Sequence, residues 1–144
     1  MKSITIGPHV VDWVAKRTGE HGNYGAAVGI GLHDHGKLVA GVVFNEFNGA
    51  NMCMHVASDE SKRWMNRELL WFVFHYAFEQ AKVKRLTGIV AESNKAAIEF
   101  DKHIGFSEEA RLKDAHPDGD LIVMVMHRSD CRWLQRRNHV LKAA

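Results

Sequence analysis

The 144-residue chain has little of what marks a specialised class of protein. Its two cysteines, Cys53 and Cys131, are too few for a disulfide framework and have no C-x-x-C spacing, so both read as reduced thiols in a reducing compartment. With two prolines and no low-complexity stretch, it does not have the composition of a disordered or fibrous chain. The longest apolar run, Leu69 to Phe74, falls far short of the roughly 18 residues of a membrane span. Met1-Lys2-Ser3-Ile4 lacks the apolar stretch of a secretory signal, so the expectation is a cytoplasmic protein with no membrane partner. Neither charge dominates: 19 Lys plus Arg against 17 Asp plus Glu leave a net +2. No P-loop, dinucleotide fingerprint or zinc finger is present.

What is there is ordinary globular material, 46% hydrophobic and 25% charged, enough for one domain over residues 1–144 with a single core. Basic charge collects at the end, where Arg128 to Ala144 carries five basic residues and one acidic. With no recognition motif beside it, this reads as a solvated terminal helix over about 129–144 rather than a nucleic-acid surface. His33-Asp34-His35 lacks a third nearby ligand and falls short of a closed zinc site, so no metal is expected.

Patterning predicts the elements in order. Ile4 to Ile6 is a short strand, and Pro8 to Arg17 puts Val10, Val11, Trp13 and Val14 on one helical face. Gly19 to Asn23 is loop. Ala26 to His33 and Lys37 to Phe47 flank a tight turn as a hairpin, and Asn48-Gly49 turns the chain into a third antiparallel strand, Ala50 to Ala57. Glu68 to Val83 has no turn residue and predicts a long helix, apolar almost all round in its middle. Lys84 to Ser93 is a strand whose lack of alternation predicts cover on both faces. Asn94 then caps a short helix, Lys95 to Ile104, that Gly105 stops. Phe106 to Lys113 and Leu121 to His127 are strands around the His116-Pro117-Asp118-Gly119 turn. The fold class is α/β (α+β), a mixed, mostly antiparallel central sheet with helices on both faces. Trp133 and Leu134 in the last helix either close the core or form the apolar surface of a homodimer.

The run Asn94-Lys95-Ala96-Ala97-Ile98-Glu99-Phe100-Asp101-Lys102-His103-Ile104-Gly105-Phe106 resembles the N-x-x-A-h-x-x-Y-x-K-x-G-F signature of the GNAT superfamily of N-acetyltransferases, where h is apolar. The element order of almost the whole chain agrees with that family. The resemblance implies an acetyl-CoA site between two splayed central strands, here Met52 to Ala57 and Leu86 to Ala91. Backbone groups near Val56 would meet the amides of the pantetheine arm and hold the oxyanion of the tetrahedral state. It also implies that Asn94, Ala97 and Phe100 lie along that arm.

In the family, a loop reading R/Q-x-x-G-x-G/A before the central helix holds the CoA pyrophosphate. Here Ser61, Lys62, Arg63, Trp64, Met65 and Asn66 stand there, with Trp64 and Asn66 in place of glycines. A helix N-terminus with Arg63 and Arg67 beside it still suits a phosphate. A second departure is set at Phe100, read as the position where many members carry a tyrosine that protonates the departing thiolate. A thiol of pKa near 8.5 leaves without much help, so this does not remove catalysis.

The implied reaction passes an acetyl group from acetyl-CoA directly to a primary amine of a small molecule or protein. A base must first take the ammonium proton, and Glu92, His55 and Glu46 are the candidates, with Glu92 and His55 preferred. The alternative is a module of the same fold that binds CoA or a partner protein without catalysis.

Overall fold

The computed structural model describes residues 1–19, 24–60 and 67–134. Strand β1 (Lys2–Ile6) leads into helix α1 (Pro8–Thr18), where Pro8 suits a first turn that needs no backbone N–H. The helix stops at Gly19, whose φ of 80° returns its N–H to Ala15 O. Strands β2 (Ala27–Asp34) and β3 (Lys37–Asn45) form the expected hairpin, with His35 and Gly36 both at positive φ, 55° and 79°. Asn48 fixes the next turn by accepting from the N–H groups of Ala50 and Asn51 at 2.9 and 2.8 Å, and β4 (Asn51–Ser58) follows.

Helix α2 (Arg67–His75) is shorter than the sequence predicts. It loosens into a π-helical turn, Tyr76–Gln80, closed by the N–H of Ala81 on Tyr76 O at 2.8 Å, and Lys82 then takes φ 59°. A lysine therefore does the work that glycine usually does at a helix end, leaving no punctuation to read. Beyond it come β5 (Arg85–Ala91), α3 (Lys95–Ile104), β6 (Ser107–His116), β7 (Gly119–His127) and a 3-10 turn, Arg128–Asp130. Asn94 caps α3 by accepting from the N–H of Ala97 at 3.2 Å, and Gly105 ends it at φ 119°.

The seven strands form one sheet in the order β1-β2-β3-β4-β5-β7-β6. Only β4 and β5 run parallel, so the sheet is mixed and mostly antiparallel. Helix α1 covers β2 to β4 on one face, at very short range: a Cβ on Gly41 would lie 2.7 Å from Val14 Cγ2, and one on Gly29 2.9 Å from Val10 Cβ. The larger core fills the other face, where Phe44, Phe74, Phe78, Leu69, Leu86 and Met124 are fully buried.

One expectation changes and one open alternative is decided. Among the described residues β5 is not covered on both faces: α1 packs chiefly on β2 to β4, and Ile89 is 54% exposed. Trp133 and Leu134 are buried in the larger core, with Trp133 Nε1–H donating to Ile104 O at 2.8 Å, so these residues close the core. The rest of the expected terminal helix lies outside the described residues, and no helix among them is long and apolar enough to cross a membrane.

Candidate active site

β4 and β5 are partners only at their beginnings, through Asn51↔Arg85, Met52↔Leu86 and Cys53↔Thr87. Past Cys53, β4 stays with β3 as far as Ser58, and past Thr87, β5 stays with β7 as far as Ala91. The two strands diverge, and a cleft of about 1080 Å³ opens between them. Met54, His55, Val56 and Ala57 line one wall, Gly88 to Ala91 the other, and Asn94, Ala97, Phe100 and Asp101 close it from α3. Strand alternation orients the backbone: the N–H of Asp59 donates to Val39 O on β3 at 2.9 Å, so those of Ala57 and His55 also face β3. Those of Val56 and Ser58 face the cleft. Here the sequence-predicted residues Val56, Asn94, Ala97 and Phe100 come together as wall and floor.

His55 projects to the α1 face of β4. Its Nε2 lies 2.9 Å from Asn45 Oδ1, and its ring packs on Tyr24 with centroids 4.4 Å apart. Asn45 is buried, and its Nδ2 donates to Tyr24 O at 3.1 Å, which turns Oδ1 toward the imidazole as an acceptor. His55 therefore donates from Nε2 to Asn45 Oδ1. Tyr24 is anchored in turn. Thr18 donates its only hydroxyl proton to Val14 O at 3.1 Å, so Tyr24 O–H donates to Thr18 Oγ1 at 2.6 Å. Neither Asn45 nor Tyr24 was legible as a site residue, since the contacts that recruit them cross from β3 and the loop after α1.

Asp101 is the other residue that the reading of the sequence missed. Counted from Asn94, the tyrosine of the signature falls on Asp101, not on Phe100, so the departure from the family pattern stands at Asp101. Phe100 is half-buried cleft wall, whereas Asp101 presents a carboxyl from α3, its Oδ2 3.7 Å from where a Cβ on Gly88 would stand. Burial pushes this carboxyl up to about 7, so near neutral pH it is protonated about half the time.

The remaining predicted residues stand elsewhere. Glu92 follows β5 and is held in an ion-pair cluster: Arg111 binds its Oε2, and the N–H of Asp120 donates to its Oε1 at 3.4 Å. Arg111 also pairs with Asp120 at 3.2 Å, and the hydrogen bonds it donates to both carboxylates raise its guanidinium pKa. Glu92 and His55 are thus not brought together, and Glu92 is not among the cleft's lining residues. Glu46 is exposed past the end of β3. Arg67 is exposed at the first turn of α2, while Arg63, Trp64 and Asn66 lie outside the described residues. The thiol of Cys53 is pushed up, by burial first and then by the charge of Glu46. That of Cys131 is raised chiefly by burial, so neither is poised as a thiolate nucleophile.

A sheet split between two parallel strands, with a capped helix closing the gap, is the frame that the resemblance of the sequence to acyl-group transferases implies. A family model described as an acetyltransferase (GNAT) domain matches residues 32–121, and the chain belongs to that family. Among solved structures, mutant forms of the spermidine/spermine N-acetyltransferase SpeG from Vibrio cholerae match with a TM-score of 0.69 and 16% identity, covering 94% of this chain and 99% of that one. The ribosomal-protein-S18-alanine N-acetyltransferase from Escherichia coli matches with a TM-score of 0.68 and 20% identity, over 88% and 94%. The Vibrio cholerae spermidine N-acetyltransferase in complex with CoA and spermine matches with a TM-score of 0.63 and 20% identity, over 83% and 76%. These likenesses establish the shared fold. Comparison with curated protein sequences gives no match.

Proposed function

We propose that this GNAT acetyltransferase binds acetyl-CoA in the cleft between β4 and β5 and transfers its acetyl group directly to a primary amine, with His55 as the base. One observation carries the reading: the strands part immediately after Cys53↔Thr87, and the first ionisable side chain past that point on β4 is His55, in a fixed tautomer. The N–H of Val56, turned to the cleft, suits an amide of the pantetheine arm or the oxyanion of the thioester carbonyl. His55 takes the proton of the attacking nitrogen, a general-base role that an imidazole can fill. Direct transfer accords with the two raised thiols, neither of which lines the cleft. Cys53 and Cys131 as free thiols suit a cytoplasmic setting.

The test is acetyl-CoA turnover, followed as free thiol released and as acetylated product by mass spectrometry, over a panel of polyamines, amino-sugar antibiotics and peptides with free α-amines. At least one acceptor is expected to turn over, with activity lost in His55→Gln. CoA binding without turnover on any acceptor would instead mark a binding module of the same fold.

A further inference from the structure

Helix α1 brings a guanidinium to the face of the sheet on which His55 stands. His55 and Ala57 project to that face two positions apart on β4, roughly 7 Å. Trp13 of α1 packs with Ala57, and its Cε3 lies 3.6 Å from where a Cβ on Gly41, the β3 partner of Ala57, would stand. One turn further on, Arg17 lines the cleft with its guanidinium carbon over the Trp13 ring, 3.7 Å from the centroid. Among the described residues no carboxylate pairs with it. The next residue, Thr18, accepts the hydroxyl of Tyr24 at 2.6 Å, and Tyr24 packs on His55, so cation and base are tied to the same end of α1. An arginine held over an aromatic ring, its charge unmatched within the chain, is preorganised for a planar anion.

We propose that Arg17 binds a carboxylate on the acceptor, so that the substrate is an amine carrying a carboxylate, an amino acid in the broad sense, rather than a polyamine. This rests on the acetyl transfer proposed above and names the class of acceptor that it takes. In the step, the amine nitrogen bonds to the acetyl carbon, that carbon's bond to sulfur breaks, the nitrogen's proton goes to His55 and CoA leaves as the thiolate. The carboxylate on Arg17 is unchanged throughout.

The charges around His55 favour this class. A polyamine needs carboxylates for its remaining ammonium groups, and those of the chain are engaged or set apart. Glu109 is paired with Arg85 at 2.7 Å, Glu92 is held by Arg111, and Glu46 is not among the residues lining the cleft. Asp59 lies four positions beyond His55, roughly 13 Å along an extended chain. Lys37, the other lysine or arginine lining the cleft among the described residues, stands at the start of β3, beyond the pair Ala40↔Ser58. A phosphate dianion suits Arg17 less well than a carboxylate, because the negative end of the α1 dipole is beside it. A pair between arginine and carboxylate contributes little in open water, so the selectivity arises when the acceptor covers the guanidinium and excludes water from it.

The experiment measures kcat/KM with acetyl-CoA for acceptors offered as carboxylate and as carboxamide. The pairs are glycine, β-alanine and γ-aminobutyrate with their amides, and tripeptides beginning with glutamate or glutamine, with spermidine as the polyamine. In the wild type at least one carboxylate is expected to exceed both its amide and spermidine by on the order of 10- to 100-fold, and the pair that shows it tells whether the carboxylate belongs to a small molecule or a peptide. Arg17→Gln keeps much of the stem over Trp13 and loses the charge. It is expected to bring the two members of that pair within about twofold of each other by raising the KM of the carboxylate, while acetyl-CoA affinity, read by calorimetry, is kept. A wild type that prefers amides or spermidine would overturn the proposal, and so would a carboxylate preference that survives in Arg17→Gln. Loss of acetyl-CoA affinity in the variant would overturn it too, by assigning Arg17 to the CoA. Wild type that acetylates none of these amines would overturn the acetyl-transfer reading itself, and this one with it.

Discussion

At the scale of single residues, the site depends on which atoms carry protons. Asn45 spends its amide on Tyr24 O and His55, and so acts through the imidazole as a positioning residue. Asn45→Ala should lower kcat by about 10-fold, because the tautomer is no longer fixed, whereas His55→Gln should cost about 10² to 10⁴ in kcat/KM. Both are read from steady-state kinetics over pH 5.5 to about 9. Asp101 also makes a stability prediction. Its folded pKa of about 7 lies above the reference carboxyl value, so the folded chain binds more protons than the unfolded one between roughly pH 4 and 7. Its destabilisation is absent below that window, grows through it and is complete above pH ~7. Asp101→Asn should therefore unfold with wild type at pH ~4 and be more stable by roughly 2–4 kcal/mol at pH ~8, measured by urea denaturation. Asn94 and Gly105 were legible because cap and stop are local chemistry. Asp101 was not legible as a buried carboxyl, because β5 imposes its burial from outside its own helix.

At the scale of elements, hairpins and caps announced themselves, while helix ends and open faces did not. Turn residues mark the hairpin between β2 and β3, yet α2 ends through Lys82 at positive φ, which no composition rule signals. The bare face of β5 depends on how far α1 extends across the sheet, and the width of that cover is not written in β5 itself. The seating of α1 makes a direct prediction. Gly41→Ala drives a methyl into Val14 at 2.7 Å and should destabilise by about 1–3 kcal/mol. It should also weaken acetyl transfer, since Thr18 on α1 anchors the Tyr24 beneath His55. Thermal unfolding together with kcat checks both, and an unchanged melting temperature would mean that α1 lies less tightly on the sheet than described.

For the whole molecule, the parallel pairing of β4 and β5 creates the site, because a sheet paired throughout would have no gap at its centre. A ligand bound there bridges two halves of the sheet, β1 to β4 and β5 to β7, whose facing strands pair at three positions. CoA should therefore raise the melting temperature, and at about 100 times its Kd the added stability should be about 2.7 kcal/mol. The most direct test of the central claim is calorimetric titration of acetyl-CoA into the wild-type chain and into Ala97→Trp, which fills the cleft from α3 while leaving the core untouched. The account predicts one micromolar site per chain in the wild type, lost in the variant while its circular dichroism and melting temperature are kept. No binding in the wild type, or undiminished binding in Ala97→Trp, would contradict it.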